Sequence, residues 1–235
     1  MVELHMMNLI PVPAKYEMKS GTFVLRDGEP VKSDFDLPLV SCAREEHARI
    51  VISKDTCLQR EEYTLSVTSE RIGITASSEI GAYYALQSVR LLARYDTGGR
   101  DVPCCTISDK PRWGWRGLHL DESRHFFGME EVKRLLDIMF MMKLNTFHWH
   151  LTDDQGWRIE SSKYPELNTK ASIRKYSNFG KVNHNQPYGR IYTKAEMIEI
   201  VRFCKERYID VVPEFDVPGP VSYTHLRAHE TPEHL

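Results

Sequence analysis

Several features that mark particular classes of protein are missing from this 235-residue sequence. The formal net charge is only -2, so no excess of one sign favours a nucleic acid as partner. The longest apolar runs are far too short to cross a bilayer, and no membrane partner is expected. The N-terminus lacks the basic start and apolar core of a signal peptide. As written, the chain is expected in the cytoplasm, while a periplasmic or secreted location stays open for a longer parent protein.

Cysteine is also scarce, and its spacing excludes two kinds of site. The five cysteines are odd in number and include no C-x-x-C pair, which argues against a disulfide framework and a structural zinc site. His225 and His229 are four residues apart, but H-L-R-A-H-E lacks the glutamate inside the pair that a zincin helix needs. No metal and no cofactor is therefore expected.

Residues 1–110 are predicted to form a small α+β domain. Residues 62–67 and 71–75 alternate apolar and polar side chains, which is typical of half-buried strands, and the segment between them favours a hairpin. Ser77 and Ser78 can cap a helix that runs to about Tyr95. No motif in this part of the chain indicates catalysis.

Residues 111–219 show a different pattern, in which apolar strands with charged C-terminal ends alternate with helices. Strands are predicted at 115–120, within 144–160 where an aromatic run meets Asp153 and Asp154, and at 210–215 before Asp216. This order is typical of a (β/α)8 TIM barrel, whose catalytic residues lie at the C-terminal strand ends. The predicted fold class is α/β: an N-terminal α+β domain followed by an incomplete TIM barrel with about three strands.

Two amphipathic helices are expected between these strands, over residues 128–142 and 193–207. The apolar side of the second helix is predicted to consist of Ile198, Val201, Phe203 and Cys204. The polar segment 164–192 between strand and helix is longer than compact domains normally tolerate, unless it is functional or holds small elements of its own.

Four motifs in this region are specific when taken together. They are WRGLHLDESRHFF (115–127), KLNTFHWHLTDDQGWRIE (143–160), KYPEL (163–167) and VPEFDVPG (212–219). In order and spacing they resemble the retaining β-N-acetylhexosaminidases of glycoside hydrolase family 20. The first 110 residues are also similar to the small domain that precedes the barrel in that family.

The resemblance implies a glycosidase that removes terminal β-linked N-acetylglucosamine or N-acetylgalactosamine from glycans or glycoconjugates. In that family's mechanism the 2-acetamido oxygen of the sugar attacks its own anomeric carbon, and the configuration is retained. An aspartate orients the acetamido group, and a neighbouring glutamate protonates the leaving oxygen.

The resemblance also assigns roles to residues of this chain. Arg124 matches the arginine that grips ring hydroxyls, which suits its fixed fork of donors. Asp153 matches the aspartate that supports the general acid through a histidine, and Asp216 matches a further site aspartate. His150 is a candidate for substrate contact, with a core histidine satisfied by neighbouring backbone as the alternative.

The catalytic Asp–Glu pair, which the family carries at the end of the fourth barrel strand, is absent from this chain. The histidine expected to partner Asp153 belongs in a P-G-H sequence where this chain has Pro220, and the following residues are unrelated in character. We therefore expect residues 220–235 to be an aberrant, non-native tail and the chain to be an inactive fragment.

Two other functions stay open from the sequence alone. A metal-dependent barrel hydrolase could ligate zinc through His148 and His150, but it would need further ligands on later strands. A non-catalytic carbohydrate-binding remnant would keep Arg124 without the acid pair. In such a remnant Trp149 and Trp157 could stack on sugar faces, although packing within the barrel is an equal alternative.

Overall fold

The computed structural model describes residues 9–26, 28–37, 40, 48–93, 100–174 and 188–216. The tail predicted at 220–235 lies outside these residues. The chain divides into two units, one built from residues up to Gly114 together with Phe140–Lys143, the other from Trp115–Met139 and the residues from Leu144 onward. In the described part of the chain, no helix combines the length and the apolar character that crossing a membrane would require.

The first unit is built on one mixed sheet. Its elements are β1 (Lys15–Val24), β2 (Val31–Ser33), β3 (Ile50–Lys54), β4 (Tyr63–Val67), β5 (Ile72–Ala76), α1 (Glu79–Leu92) and β6 (Asp101–Asp109). The strand order is β1-β6-β4-β5-β3-β2. The predicted hairpin is confirmed: β4 and β5 pair antiparallel, and the Thr68 N–H donates to the Arg71 carbonyl at 2.9 Å.

Helix α1 begins where the sequence predicts. The Ser78 hydroxyl caps it by accepting from the Gly81 N–H, which satisfies a backbone donor at the helix start. The helix is buried on more than its one predicted face. Phe140, which belongs to the same unit, contacts the Tyr83 ring edge-on with 5.7 Å between ring centroids.

A buried ion pair also belongs to the first unit. The Lys143 ammonium donates to the Asp109 carboxylate at 3.0 Å, to the Tyr63 hydroxyl at 2.8 Å and to the Ser88 hydroxyl at 2.9 Å. All three donor positions of the ammonium are therefore used, which offsets the cost of burying the charge.

The second unit contains three parallel strands, as expected for part of a TIM barrel. Its described elements are β7 (Gly117–Asp121), α2 (Met129–Met141, as far as Met139), β8 (Thr146–Asp153), β9 (Gly156–Trp157), α3 (Pro165–Thr169), α4 (Lys194–Lys205) and β10 (Asp210–Phe215). The strand order is β10-β8-β7, and β9 folds back antiparallel on β8. The long segment 164–192 holds the short helix α3, although residues 175–187 lie outside the description.

The two faces of β8 differ in character because side chains alternate along a strand. Phe147, Trp149 and Leu151 are buried on one face, and His148 and His150 lie on the other. The ring of Trp149 packs against Phe147 and Tyr192, with centroids 5.7 and 4.9 Å away. Trp149 is therefore a packing residue.

The apolar side predicted for α4 is wrong in part. Ile200 and Cys204, four residues apart, form the buried stripe, whereas Ile198 and Val201 are about half exposed. Successive helical residues are rotated by about 100°, so a stripe centred on Ile200 turns these two side chains away from the sheet.

Candidate active site

The register of the three parallel strands places several polar side chains on the sheet face opposite Trp149. His119 of β7 is level with His148 of β8. Two residues further along the strands, Asp121 of β7 and Glu214 of β10 lie on either side of His150. Because the strands are parallel, the residues that follow their C-terminal ends meet at the same edge of the sheet.

Arg124 lies just after β7 and binds three groups at this edge. Its Nη2 lies 2.7 Å from Asp153 Oδ2, and its Nη1 lies 3.1 Å from Asp121 Oδ2 and 3.0 Å from His150 Nε2. Asp121 also accepts from the Arg124 backbone N–H at 3.0 Å, which fixes the turn after the strand. The guanidinium is held by charge-assisted bonds yet keeps 26% of its side chain exposed to solvent.

The contact with Arg124 determines which ring nitrogen of His150 carries the proton. A guanidinium has only donors, so His150 Nε2 accepts and the ring proton lies on Nδ1. Nδ1 is 2.9 Å from Glu214 Oε2. The expected alternative, a histidine satisfied by neighbouring backbone, is therefore wrong: the groups around its ring nitrogens are side chains of Arg124, Asp153 and Glu214.

Asp153 and its neighbour Asp154 have opposite electrostatic environments. Burial acts to raise the pKa of Asp153, but the Asp154 N–H, which donates at 2.7 Å, and the Arg124 charge hold that pKa below its usual value. Burial and the adjacent Asp153 carboxylate raise the pKa of Asp154. Environments that separate the pKa values of two neighbouring carboxyls are typical of sites that handle protons.

Asp216 follows β10 and reaches the same place. Its backbone N–H donates to the Thr152 carbonyl at 3.2 Å, and the Thr152 hydroxyl donates to the Asp216 carbonyl at 3.3 Å. These bonds bring a carboxylate oxygen of Asp216 within 4.8 Å of side-chain atoms of His150 and Asp153. All four residues predicted for the site, from three separate strands, therefore lie together.

Glu214 is a member of this cluster that the sequence analysis did not identify. Its Oε2 lies 2.7 Å from His148 Nε2 and 3.8 Å from His119 Nε2, in addition to the contact with His150. Burial acts to raise the pKa of Glu214, but His150 and His148 hold it below its usual value. The available signal was its position two residues before Asp216, on the strand face that the site residues share.

A buried guanidinium supports the loops around the site. Arg158 is fully buried and donates to the carbonyls of Glu122 at 2.8 Å and Ser123 at 3.0 Å, just before Arg124. It also donates to the Ser172 carbonyl at 2.5 Å and the Arg190 carbonyl at 3.4 Å. Arg158 thus fixes the backbone that carries Arg124.

Glu122 is a second buried support. It accepts from the Tyr192 hydroxyl at 2.6 Å and the Phe127 N–H at 2.8 Å, and burial raises its pKa to about 7. Neither Glu122 nor Arg158 was assigned a role from the sequence. The burial of a charged side chain cannot be predicted from residue spacing, because hydrophobic periodicity identifies only apolar positions.

Comparison with known proteins identifies the family of this chain. The sequence model for the catalytic domain of glycosyl hydrolase family 20 matches residues 113–232, and that for domain 2 of the same family matches residues 34–110. The chain belongs to glycosyl hydrolase family 20. The catalytic-domain match runs past residue 219, into the segment that the sequence suggested was foreign.

Individual relatives agree with the family assignment. The chain is 34% identical over 231 residues to a β-hexosaminidase of Vibrio furnissii, covering 91% of this chain and 38% of the relative. It is 40% identical over 163 residues to a β-hexosaminidase of Akkermansia muciniphila, covering 69% and 32%. A family 20 exo-β-N-acetylglucosaminidase of Vibrio harveyi, solved with N-acetylglucosamine, superposes with a TM-score of 0.80 at 32% identity, covering 90% and 36%. This family 20 chain thus spans about a third of the length of these proteins.

Proposed function

We propose that this chain is the sugar-binding part of an enzyme that removes terminal β-linked N-acetylglucosamine or N-acetylgalactosamine by substrate-assisted, retaining hydrolysis. The observation that supports this most strongly is the convergence of Arg124, Asp153 and Asp216. Each lies at the end of a different parallel strand or just after it, and all three meet at the C-terminal edge, where barrel enzymes carry out their chemistry.

Arg124 is proposed to bind ring hydroxyls of the sugar. Its contacts with Asp121 and Asp153 hold the guanidinium plane in place, so little side-chain entropy remains to be lost when a sugar arrives. About a quarter of the side chain is exposed to solvent, so a sugar can approach it. A fixed fork of donors matches a pair of adjacent hydroxyl oxygens better than a single ammonium does.

Asp153 is proposed to act on the general acid and not on the sugar directly. Its side chain is only 1% exposed, and its lowered pKa keeps it ionised at neutral pH. A buried carboxylate next to an imidazole can hold that ring in a fixed orientation, and the ring can then hold the general acid. The family's histidine position is Pro220 in this chain, and in the described part of the chain the imidazole beside Asp153 is that of His150, whose Nε2 lies 3.3 Å from Asp153 Oδ2.

The reaction proposed for the enzyme needs no metal and no second carboxylate as nucleophile. The acetamido oxygen of the substrate forms the bond to the anomeric carbon while the glycosidic bond breaks and the leaving oxygen takes a proton from the general acid, and water later opens the resulting ring. The described strands do not include the fourth barrel strand, at whose end the family's Asp–Glu pair is expected. This chain is therefore expected to bind the sugar without hydrolysing a glycoside.

Ligand-observed NMR with N-acetylglucosamine tests the proposal on the chain itself. Saturation transfer to the ring protons is expected for the native chain and should be lost in Arg124→Ala. Arg134→Ala provides a matched control, because Arg134 lies on α2 with 72% of its side chain exposed. Equal transfer in both variants, or none in the native chain near the solubility limit of the sugar, would contradict the assignment of Arg124.

A further inference from the structure

His119, His150 and Glu214 lie on three adjacent strands and each present one ligand atom to a common point. These atoms all lie within 4.8 Å of one another. We propose that this cluster binds one divalent transition-metal ion of the zinc type. Imidazole nitrogens and a carboxylate oxygen are the ligands that such ions take in proteins.

The distances within the cluster suit tetrahedral coordination after small shifts. Glu214 Oε2 lies 2.9 Å from His150 Nδ1 and 3.8 Å from His119 Nε2. Ligand atoms that each lie about 2.0–2.1 Å from a tetrahedral zinc ion are about 3.3 Å apart. The two observed separations fall on either side of that value, by about half an ångström, and the remaining pair of ligand atoms lies within 4.8 Å.

An unsatisfied buried atom points to the same place. His150 Nδ1 is buried and makes no hydrogen bond among the described residues, although Glu214 Oε2 is 2.9 Å away. The pair is therefore close without the alignment that an N–H···O bond requires. Buried polar groups are rarely left in this state, and a cation between the two atoms would satisfy both.

The surroundings of His150 already resemble the outer shell of a metal site. Ligating histidines commonly donate their second ring N–H to a carboxylate, which fixes the ring and increases the basicity of the ligand atom. Asp153 Oδ2 lies 3.3 Å from His150 Nε2 and is almost fully buried. With a metal on Nδ1, the proton moves to Nε2 and is donated to Asp153, so Arg124 Nη1 gives up its contact with Nε2 and keeps its bond to Asp121.

The cluster is open to solvent on one side, so an ion can enter. The side chain of His119 is 49% exposed and that of His148 is 41% exposed. His148 Nε2 lies 2.7 Å from Glu214 Oε2 and is available as a fourth ligand in exchange for that contact. Without His148, a water molecule completes the coordination.

Cobalt(II) is the probe of choice, because its visible absorption reports tetrahedral nitrogen and oxygen ligands directly. The background is the full chain with His225, His229 and His234 replaced by Asn, since these residues lie outside the described structure and can bind metal themselves. We expect one equivalent of cobalt(II) to bind and zinc(II) to displace it.

Two ligand variants and one control locate the ion. His119→Leu and Glu214→Gln should each raise the Kd for cobalt at least as much as loss of an outer-shell partner does, about 10- to 100-fold. His125→Leu should leave the Kd unchanged, because His125 stacks on Tyr188 outside the cluster. Circular dichroism of each variant checks that the fold is kept.

Replacing one ligand residue with cysteine tests directly whether that residue binds the metal ion. His119→Cys should still bind cobalt and add the intense near-ultraviolet band of thiolate-to-cobalt charge transfer, which nitrogen and oxygen ligands do not produce. Failure of the native background to bind at millimolar cobalt or zinc would overturn the proposal. So would equal affinity in His119→Leu, Glu214→Gln and the control, or a His119→Cys spectrum without the new band.

Discussion

The guanidinium of Arg124 lies 2.7 Å from the carboxylate of Asp153, and this ion pair joins the C-terminal ends of two neighbouring parallel strands. Each side chain is positioned by the other, because the Asp153 carboxylate is buried and Arg124 presents the opposite charge to it. The two residues are therefore expected to behave as one unit in mutagenesis.

A double-mutant cycle tests this coupling through the Kd for N-acetylglucosamine. Arg124→Ala should weaken binding about tenfold or more, since a charge-assisted hydrogen bond contributes about 1.5–3 kcal/mol. Arg124→Lys should rescue it poorly, because an ammonium cannot reproduce the fork. Asp153→Asn should also weaken binding by releasing Arg124, and the double mutant should lose much less than the sum. Additive losses would mean that the two residues act separately.

Arg158 is predicted to be essential for the stability of the second unit. Arg158→Met leaves four carbonyls without their buried donor and should lower the free energy of unfolding by about 3–5 kcal/mol. Arg158→Lys should recover little, because an ammonium with three donors cannot reach acceptors on separate loops.

Urea unfolding followed by tryptophan fluorescence, to which buried Trp149 contributes, measures this loss. Arg134→Met is the matched control, and as a change on an exposed helix face it should stay within about 0.5 kcal/mol of the native chain. If Arg158→Met and Arg134→Met unfold at the same urea concentration, the buried guanidinium has no supporting role.

Glu122 should make stability depend on pH in an unusual direction. Burial raises its pKa to about 7, above the ordinary value of 4.5, so the folded state holds a proton that the unfolded state releases. Its contribution is complete below about pH 4.5 and is lost as the pH rises through about 7, by on the order of 3 kcal/mol.

The variant Glu122→Gln isolates this effect, because the amide oxygen can still accept from the Tyr192 hydroxyl. Between pH 4.5 and 7.5, unfolding free energies of the native chain should fall relative to those of the variant. Parallel pH profiles would show that Glu122 is ionised in the folded state throughout this range.

Gly156 is predicted to be required for close packing against Arg158. A Cβ at this position would lie 2.7 Å from the Ser123 carbonyl oxygen and 2.7 Å from Arg158 Nη2, and neither group is free to move. Gly156→Ala should therefore destabilise the chain by about 1–3 kcal/mol. Gly114→Ala is the control, since nothing lies within 4 Å of a Cβ there. Equal stability of the two variants would show that the loop adjusts without cost.

The sequence predicted the strand ends well because charge follows apolar runs there. That pattern, with the four motifs, placed Arg124, Asp153, Asp216 and His150 in one site, and the structure brings them together. The contacts of Glu214 could not be predicted, since they depend on the register that sets it level with His150. Pairing between distant strands leaves no local signal in a single sequence.

Other features depend on contacts that only the folded chain defines. The acceptors of Arg158 come from three loops, and no spacing in the sequence relates them. The buried side of α4 was predicted wrongly in part, because the apolar residues of this helix are distributed around its circumference. Hydrophobic spacing alone does not show which of them face the sheet. The sequence pattern therefore predicts the helices, the strands and the charged ends of the strands. It does not predict polar contacts between residues that are far apart in the chain.

The proposed function requires that this chain carry a working sugar-binding half of a β-N-acetylhexosaminidase site. The most direct measurement replaces the aligned segment of the Vibrio furnissii β-hexosaminidase with residues 9–216 and assays release of the aryl group from an aryl N-acetyl-β-glucosaminide in excess chelator. The chimera should turn over this substrate, lose most of its kcat/KM on Arg124→Ala, and leave the matching β-glucoside intact, while the 235-residue chain alone shows no turnover. A folded chimera without activity, or cleavage of the β-glucoside at a similar rate, would contradict the account.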